Sequence, residues 1–184
     1  MFSILNRSAL ALLALTLAAS FSSVAQAESR ASLEQASKKA LIELVEQNPA
    51  AKELDKKAAA VLVFPSVKKA GLLVGGQFGE GVLWRDGKAV AFYNTGGASF
   101  GLQAGAQEYG YALFFMTNSA LEALNTAQGF EVGIGPSIVV VDQGMAKSTT
   151  TTTMQKDIYA FIFGQRGLMA GIGIQGNKIT KIDK

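Results

Sequence analysis

The stretch "EGVLWRDGKAVAFYN", residues 80–94, decides the fold of this chain. Two runs typical of β-strands flank Asp86 and Gly87. An Asp-Gly pair between two such runs is a strong short-range signal for a two-residue hairpin, because both residues tolerate the backbone conformation that the turn needs. The sequence therefore predicts two antiparallel strands joined at Asp86 and Gly87.

Further strand signals surround the hairpin, in "AAVLVF" before it and in "YGYALFFM", "FEVGIG", "SIVVV", "IYAFIFG", "GLMAGIGI" and "KITKI" after it. A short helix interrupts them near residues 119–127, with Ser119 and Glu122 spaced as a capping box. All 20 glycines lie between Gly71 and Gly176. Because glycine inside a strand indicates bends, bulges or close backbone approach, residues 60–184 predict a glycine-rich, mainly antiparallel, strongly coiled sheet or barrel.

Residues 33–57 have a helical pattern instead. Leu33, Leu41, Leu44 and Val45 form one apolar stripe, and Ser32 is placed to cap the helix. Asn48 and Pro49 fit the cap and first position of a second, short helix. The predicted fold class is α+β, with the N-terminal helices packed on the sheet and residues 28–184 forming a single domain.

Residues 1–27 have the pattern of a secretory signal peptide. Arg7 precedes an apolar run over residues 9–19, and an A-x-A motif ends at Ala27. The apolar run is shorter than the roughly 20 residues that cross a bilayer, which disfavours an uncleaved anchor. We expect cleavage after Ala27 and an exported, periplasmic or envelope-associated protein.

Composition narrows the function. The chain has neither histidine nor cysteine, which removes the commonest general base, the usual zinc ligands and any disulfide. A net charge of +3 is too weak to suggest nucleic acid as a partner. Carboxylates such as Glu80, Glu108 and Asp142 show no spacing that sets a catalytic pair apart. We therefore predict no enzymatic activity, no metal and no cofactor.

The segment "GLMAGIGIQG", residues 167–176, matches the dinucleotide-loop spacing G-x-G-x-x-G at Gly171, Gly173 and Gly176. Such a loop needs a helix N-terminus directly after it, inside a β-α-β unit. Only about eight residues follow Gly176, and their pattern is not helical. The spacing therefore does not predict a nucleotide site.

Lysines cluster around the second helix, at Lys52, Lys56 and Lys57, and again at Lys68 and Lys69. Such a group can meet anionic lipid headgroups, each lysine contributing about 1 kcal/mol near the surface. A solvated protein face is the alternative, because acidic residues lie among these lysines. For the first helix the alternative is a helix docked on the sheet, which its periodicity slightly favours.

Four motifs in order carry a family resemblance: "VLVFPSVKKAGLLVGGQFGEGVLW", "GGASFGLQAGAQ", "GIGPS" and "IYAFIFGQRGLMAGIGIQG". Together they resemble the SYLF domain, a lipid-binding module also described as an actin-regulator domain, over about residues 33–182. The segment "PSVKKAG", from Pro65 to Gly71, matches position by position. Gly167, Gly171 and Gly176 match the closing signature of the family, and the chain looks like its stand-alone secreted bacterial type.

The resemblance implies membrane contact, since eukaryotic family members bind phosphoinositides with help from an amphipathic N-terminal helix and some bind or bundle actin. It assigns this contact to residues 33–47, with Leu33, Leu41, Leu44 and Val45 on the apolar face. The lysines that it assigns are Lys38, Lys39, Lys68 and Lys69.

The predicted function is non-enzymatic binding of anionic phospholipid headgroups at a membrane of the bacterial envelope. Two alternatives stay open. One is a periplasmic protein-interaction or stress-response module that docks a protein partner. The other is a carrier that holds a small hydrophobic ligand inside the sheet.

Overall fold

A computed structural model describes residues 29–125, 130–131, 138–141, 156–167 and 177–184 of the chain. The helices are α1 (Arg30–Gln47), α2 (Pro49–Asp55) and α3 (Asn118–Glu122), the last followed by a 3₁₀ turn (Ala123–Asn125). The strands are β1 (Ala60–Arg85), β2 (Lys88–Phe115), β3 (Phe130–Glu131), β4 (Ile138–Val141), β5 (Ile158–Gly167) and β6 (Lys178–Ile182). The predicted signal peptide, residues 1–27, lies outside the described residues.

Polar side chains fix where the helices begin. The cap of α1 is Ser29, whose Oγ accepts a hydrogen bond from the Ser32 backbone N–H at 3.2 Å, so the prediction of Ser32 as the cap is wrong by one turn. Asn48 caps α2 as predicted, because its Oδ1 accepts from two successive backbone N–H groups, and Pro49 follows as the first helical residue. Thr117, not Ser119, caps α3.

The predicted hairpin is present and much longer than expected. β1 and β2 pair from Ala60 opposite Phe115 to Arg85 opposite Lys88. Asp86 and Gly87 have φ angles of 50° and 72°, which is the turn geometry that an Asp-Gly pair favours. The separate strands that the sequence predicted on each side of the turn are therefore continuous, since glycines inside them do not end the pairing.

The six strands form one sheet in the order β3-β6-β2-β5-β4, with β1 also paired to β2. Every pairing is antiparallel except that of β4 with β5. In the part of the chain that the structure describes, β3 and β4 end the order and do not pair with each other. The barrel alternative is therefore wrong, because the sheet does not close.

β1 bends back so that its two halves face each other. Phe64 and Gly81 lie 17 positions apart in the same strand, yet a Cβ atom added at Gly81 would lie 2.6 Å from the Phe64 ring and 2.7 Å from the Val63 carbonyl oxygen. Real Cβ atoms do not approach so closely, so this contact requires glycine. The bend encloses one face of the hairpin between its halves.

The sheet buries both faces. The inner face, between the halves of the hairpin, is covered at one side by α3 and the 3₁₀ turn; its large residues include Leu62, Phe64, Tyr93, Tyr111, Leu113 and Ile179. The outer face is covered by α1 and α2; its large residues include Val63, Trp84, Phe92, Phe114, Tyr159 and Phe161. The N-terminal helices thus pack on the sheet, as the α+β prediction requires.

Candidate functional site

The apolar stripe of α1 lies against the outer face. Leu33, Leu41 and Leu44 are at most 8% exposed, and Val45 packs beside them. The structure therefore shows the docked alternative. The membrane contact assigned to these four residues stays a prediction that would require α1 to leave the sheet.

Two polar contacts orient α1 on the outer face. The Ser37 hydroxyl donates to the Val63 carbonyl oxygen at 3.3 Å and accepts from the Trp84 indole N–H at 2.8 Å. The Lys38 ammonium lies 4.9 Å from the centre of the Trp84 ring. Because Ser37 is fully buried and uses both hydrogen-bonding roles, it fixes the rotation of the helix.

The lysines in α2 and directly after it surround one carboxylate. Lys56 donates to Glu53 Oε1 at 2.6 Å, and this hydrogen bond is the main reason that the pKa of Glu53 is lowered. Lys52 and Lys57 lower it further through their charges. Both are exposed, and neither forms an ion pair within the described residues. The α2 lysines, Lys52, Lys56 and Lys57, are thus a basic cluster with one acidic centre.

The α1 lysines are less available. Lys39 is exposed but lies 3.8 Å from the Glu43 carboxylate, and Lys38 is half-buried over Trp84. The charge of Lys38 also acts on Asp55 in α2, where it opposes the larger effect of burial, which raises the pKa of the Asp55 carboxyl. Helix docking therefore engages Lys38 with protein groups.

Strand alternation separates Lys68 from Lys69. Lys68 is exposed and lies opposite Glu108 of β2, whereas Lys69 is 6% exposed and lies opposite Gln107 on the inner face. Successive strand residues point to opposite faces of a sheet. The two neighbours therefore cannot belong to one lysine surface.

Residues 96–184 match the family model described as "Ysc84: Las17-binding protein actin regulator". This match agrees with the SYLF family that the sequence motifs indicated. The match runs from within β2 through β6, so it includes β5 and β6, which pair with β2, but not β1. No curated protein matches the chain.

The SYLF motif positions have mainly backbone roles where they are described. Pro65 and Ser66 form a bulge, because they oppose Gly110 alone, and Gly71 pairs with Gly105. Gly167 ends β5 with φ of 109°, and an added Cβ atom there would collide with the Ala106 carbonyl oxygen. Gly171 and Gly176 lie outside the described residues.

Sequence reasoning missed a group of polar residues on the inner face of the sheet. Tyr109 O–H donates to Gln77 Oε1 at 3.1 Å, and Gln77 Nε2 donates to Asn177 Oδ1. These two hydrogen bonds link Tyr109 of β2 to Gln77 of β1, and Gln77 to Asn177, the residue before β6. They therefore connect the two halves of the hairpin. The alternation of Gln77, Tyr109 and Lys69 with glycines and outward residues was the only signal in the sequence that could have placed them inside.

Among the described residues, three buried polar atoms of the inner face have no hydrogen-bond partner: Thr95 Oγ1, Gln107 Oε1 and Tyr111 O–H. Burial raises the pKa of Tyr111, with a smaller contribution from Tyr109, so its hydroxyl stays protonated and able to donate. Burial also raises the pKa of Tyr109 to about 12. Buried polar groups in native proteins normally have partners, so these three require explanation.

Two of the carboxylates that the sequence analysis considered have structural partners. Glu80 accepts from Lys184 at 2.8 Å, and Glu108 accepts from the Ser66 hydroxyl at 2.6 Å. Asp142 lies outside the described residues. Within the described ranges, no three potential metal ligands of the His, Cys, Asp or Glu type come together, and no helix is both long and apolar enough to cross a membrane.

Proposed function

We propose that this SYLF family protein binds anionic phospholipid headgroups at a membrane surface of the bacterial envelope, without catalysing a reaction. The observation that carries the proposal is the exposure of Lys52 and Lys57 beside Lys56, without ion pairs in the described part of the chain. The family match supports a lipid-binding or actin-regulator-like role. The pattern of residues 1–27 supports export with cleavage after Ala27.

The docked helix changes the expected mode of binding. With Leu33, Leu41 and Leu44 buried, α1 has no apolar stripe to insert. Binding then rests on charge, with about 1 kcal/mol for each lysine close to an anionic surface. Because salt screens exposed charges, affinity should fall steeply as ionic strength rises.

Vesicle co-sedimentation of the exported protein tests the α2 lysines. Lys52→Gln combined with Lys57→Gln should weaken binding to phosphatidylglycerol vesicles roughly thirtyfold, since two lysines are lost. Lys178→Gln combined with Lys181→Gln removes the same charge from exposed positions of β6 and should change binding much less. Equal losses would mean that no local lysine surface exists, and equal binding to neutral vesicles would refute the headgroup model.

A reversible crosslink tests whether α1 must leave the sheet. The chain has no cysteine, and Ser37 contacts Val63 across the interface, so Ser37→Cys with Val63→Cys offers a disulfide that would hold α1 in place. If binding rests on the charge of the α2 lysines, vesicle binding should be equal before and after the disulfide is reduced. Binding that appears only after reduction would show that the apolar face of α1 inserts instead.

A further inference from the structure

The inner face carries a lysine with no described counter-ion. Lys69 is 6% exposed, and no carboxylate in the described residues lies within ion-pair distance of it. A buried charge is unfavourable unless it is paired and hydrogen-bonded. The position therefore favours an anion as the missing partner.

The pairing of β1 with β2 places further polar groups beside Lys69. Gln107 is its direct cross-strand neighbour, and Tyr109 is the next residue of β2 on the same face. Side chains of such pairs lie about 4.5–5.5 Å apart at Cβ. The hydrogen bond from Tyr109 to Gln77 then carries the group across the interior to the other half of the hairpin.

The opposite half adds a hydroxyl. Thr95 of β2 is fully buried on the inner face. It pairs with Gly79 of β1, and Gln77 lies two residues before Gly79 on the same face, opposite Gly97. Within the part of the chain that the structure describes, Thr95 Oγ1 has no partner, and neither has Gln107 Oε1 across the interior. Since an amide side chain can present nitrogen as well as oxygen, Gln107 can donate to a ligand that Lys69 also contacts.

We propose that the inner face binds a phosphate group, held by the Lys69 ammonium with hydrogen bonds from Gln107 and Thr95. A phosphate offers several acceptor oxygens to donors that converge from different strands, which matches a cation, an amide and a hydroxyl. The site is distinct from the α2 lysines, because strand alternation puts Lys69 on the face opposite the exposed Lys68. The phosphate can belong to a free ion or to a lipid headgroup.

Calorimetry with two probes tests the site and its source of phosphate. Inorganic phosphate and dihexanoyl phosphatidic acid below its micelle concentration are each titrated into the protein. Binding of both, or of inorganic phosphate alone, supports a site for the phosphate group itself; binding of phosphatidic acid alone supports a lipid headgroup. If neither probe binds, the proposal is overturned and water satisfies the buried groups.

Adjacent lysines provide matched variants. Lys69→Met should weaken binding of the probe at least tenfold, whereas Lys68→Met should leave it within about twofold. Thr95→Val should weaken it about tenfold and guards against a folding defect specific to Lys69→Met. Equal weakening by Lys68→Met would assign the binding to the protein surface and overturn the inner site.

Vesicle binding separates this site from the surface function. Because Lys69 is only 6% exposed and lies on the face opposite Lys68, Lys69→Met should bind phosphatidylglycerol vesicles as the unchanged protein does. Failure of vesicle binding in every protein, with calorimetric binding intact, would refute the surface function alone. Loss of vesicle binding in Lys69→Met, with its fold intact by circular dichroism, would overturn the inner site as a separate feature.

Discussion

The two buried faces of the sheet treat polar groups differently. On the outer face, the buried hydroxyl of Ser37 both donates and accepts, and it fixes α1 on the sheet. On the inner face, Thr95, Gln107 and Tyr111 each keep a buried polar atom for which the described residues offer no partner. Satisfied polar groups specify how elements pack, whereas unsatisfied ones are retained only where something else bonds them. The outer face is therefore a docking interface, whereas the unpartnered atoms of the inner face are the groups that the proposed phosphate site would use.

Removing apolar contact from the outer face should have the largest effect. Leu44→Ala truncates a side chain that is 7% exposed, so it should lower the free energy of unfolding by about 2–5 kcal/mol. Urea unfolding followed by the single tryptophan, Trp84, measures it at this interface. Ile42→Ala, on the same helix but 47% exposed, is the control and should change stability by less than about 0.5 kcal/mol. Similar effects of the two variants would mean that α1 is not docked in solution.

Breaking the polar contact of the outer face should come next. Ser37→Ala leaves the buried Trp84 indole N–H without its acceptor, so it should lower the free energy of unfolding by about 1–3 kcal/mol. Ser119→Ala, an exposed hydroxyl beside Thr117, serves as the matched control in the same urea experiment. A neutral Ser37→Ala would remove the contrast between the faces, since the outer hydroxyl would then be no better used than the inner ones.

Alkaline pH should act through the inner face. Because the pKa of Tyr109 is about 12 in the folded protein and about 10 when unfolded, its contribution is fully present below pH 10 and is lost as pH rises toward 12. The free energy of unfolding should fall in this window by up to about 1.4 kcal/mol per pH unit for this one group. Tyr109→Phe should flatten the slope measured by urea unfolding at pH 9 to 11. Parallel slopes would show that Tyr109 is not buried in its neutral form.

Removing an unpaired inner hydroxyl should have the smallest effect. Thr95→Val replaces an unpartnered O–H by a methyl group of similar shape, so the free energy of unfolding should stay within about 0.5 kcal/mol or rise slightly. The comparison is with Ser37→Ala, which also deletes one hydroxyl. A loss above about 1 kcal/mol would show that Thr95 has a partner in the unliganded protein, such as bound water.

The predicted elements came from local signals. The Asp86 and Gly87 turn, the Asn48 cap and the strand runs at residues 138–141, 158–164 and 178–182 are all present, because turn geometry, capping and strand propensity depend on neighbouring residues. The length of the hairpin was missed for the opposite reason. Glycines that look like strand ends in the sequence remain paired, since partner strands on both sides supply the hydrogen bonds.

The candidate site was less predictable than the fold. Clustering in the sequence correctly joined the α2 lysines around Glu53, because a helix turn brings such residues together. The same argument joined Lys68 to Lys69, which the strand separates. Clustering in the sequence also did not predict that Thr95 and Gln77 belong to the inner face, because their neighbours there come from strands far away in the chain.

The sequence by itself determined the α+β class, the hairpin turn, the capped α2 and the SYLF family motifs, since each depends on short-range chemistry or on a fixed pattern of residues. Only the tertiary structure decided that the sheet does not close and that Lys69 faces inward with Gln107. These outcomes depend on how β1 bends back between Phe64 and Gly81 and on which distant strands then meet. The bend brings together residues that are far apart in the sequence, and a local sequence pattern does not contain such contacts.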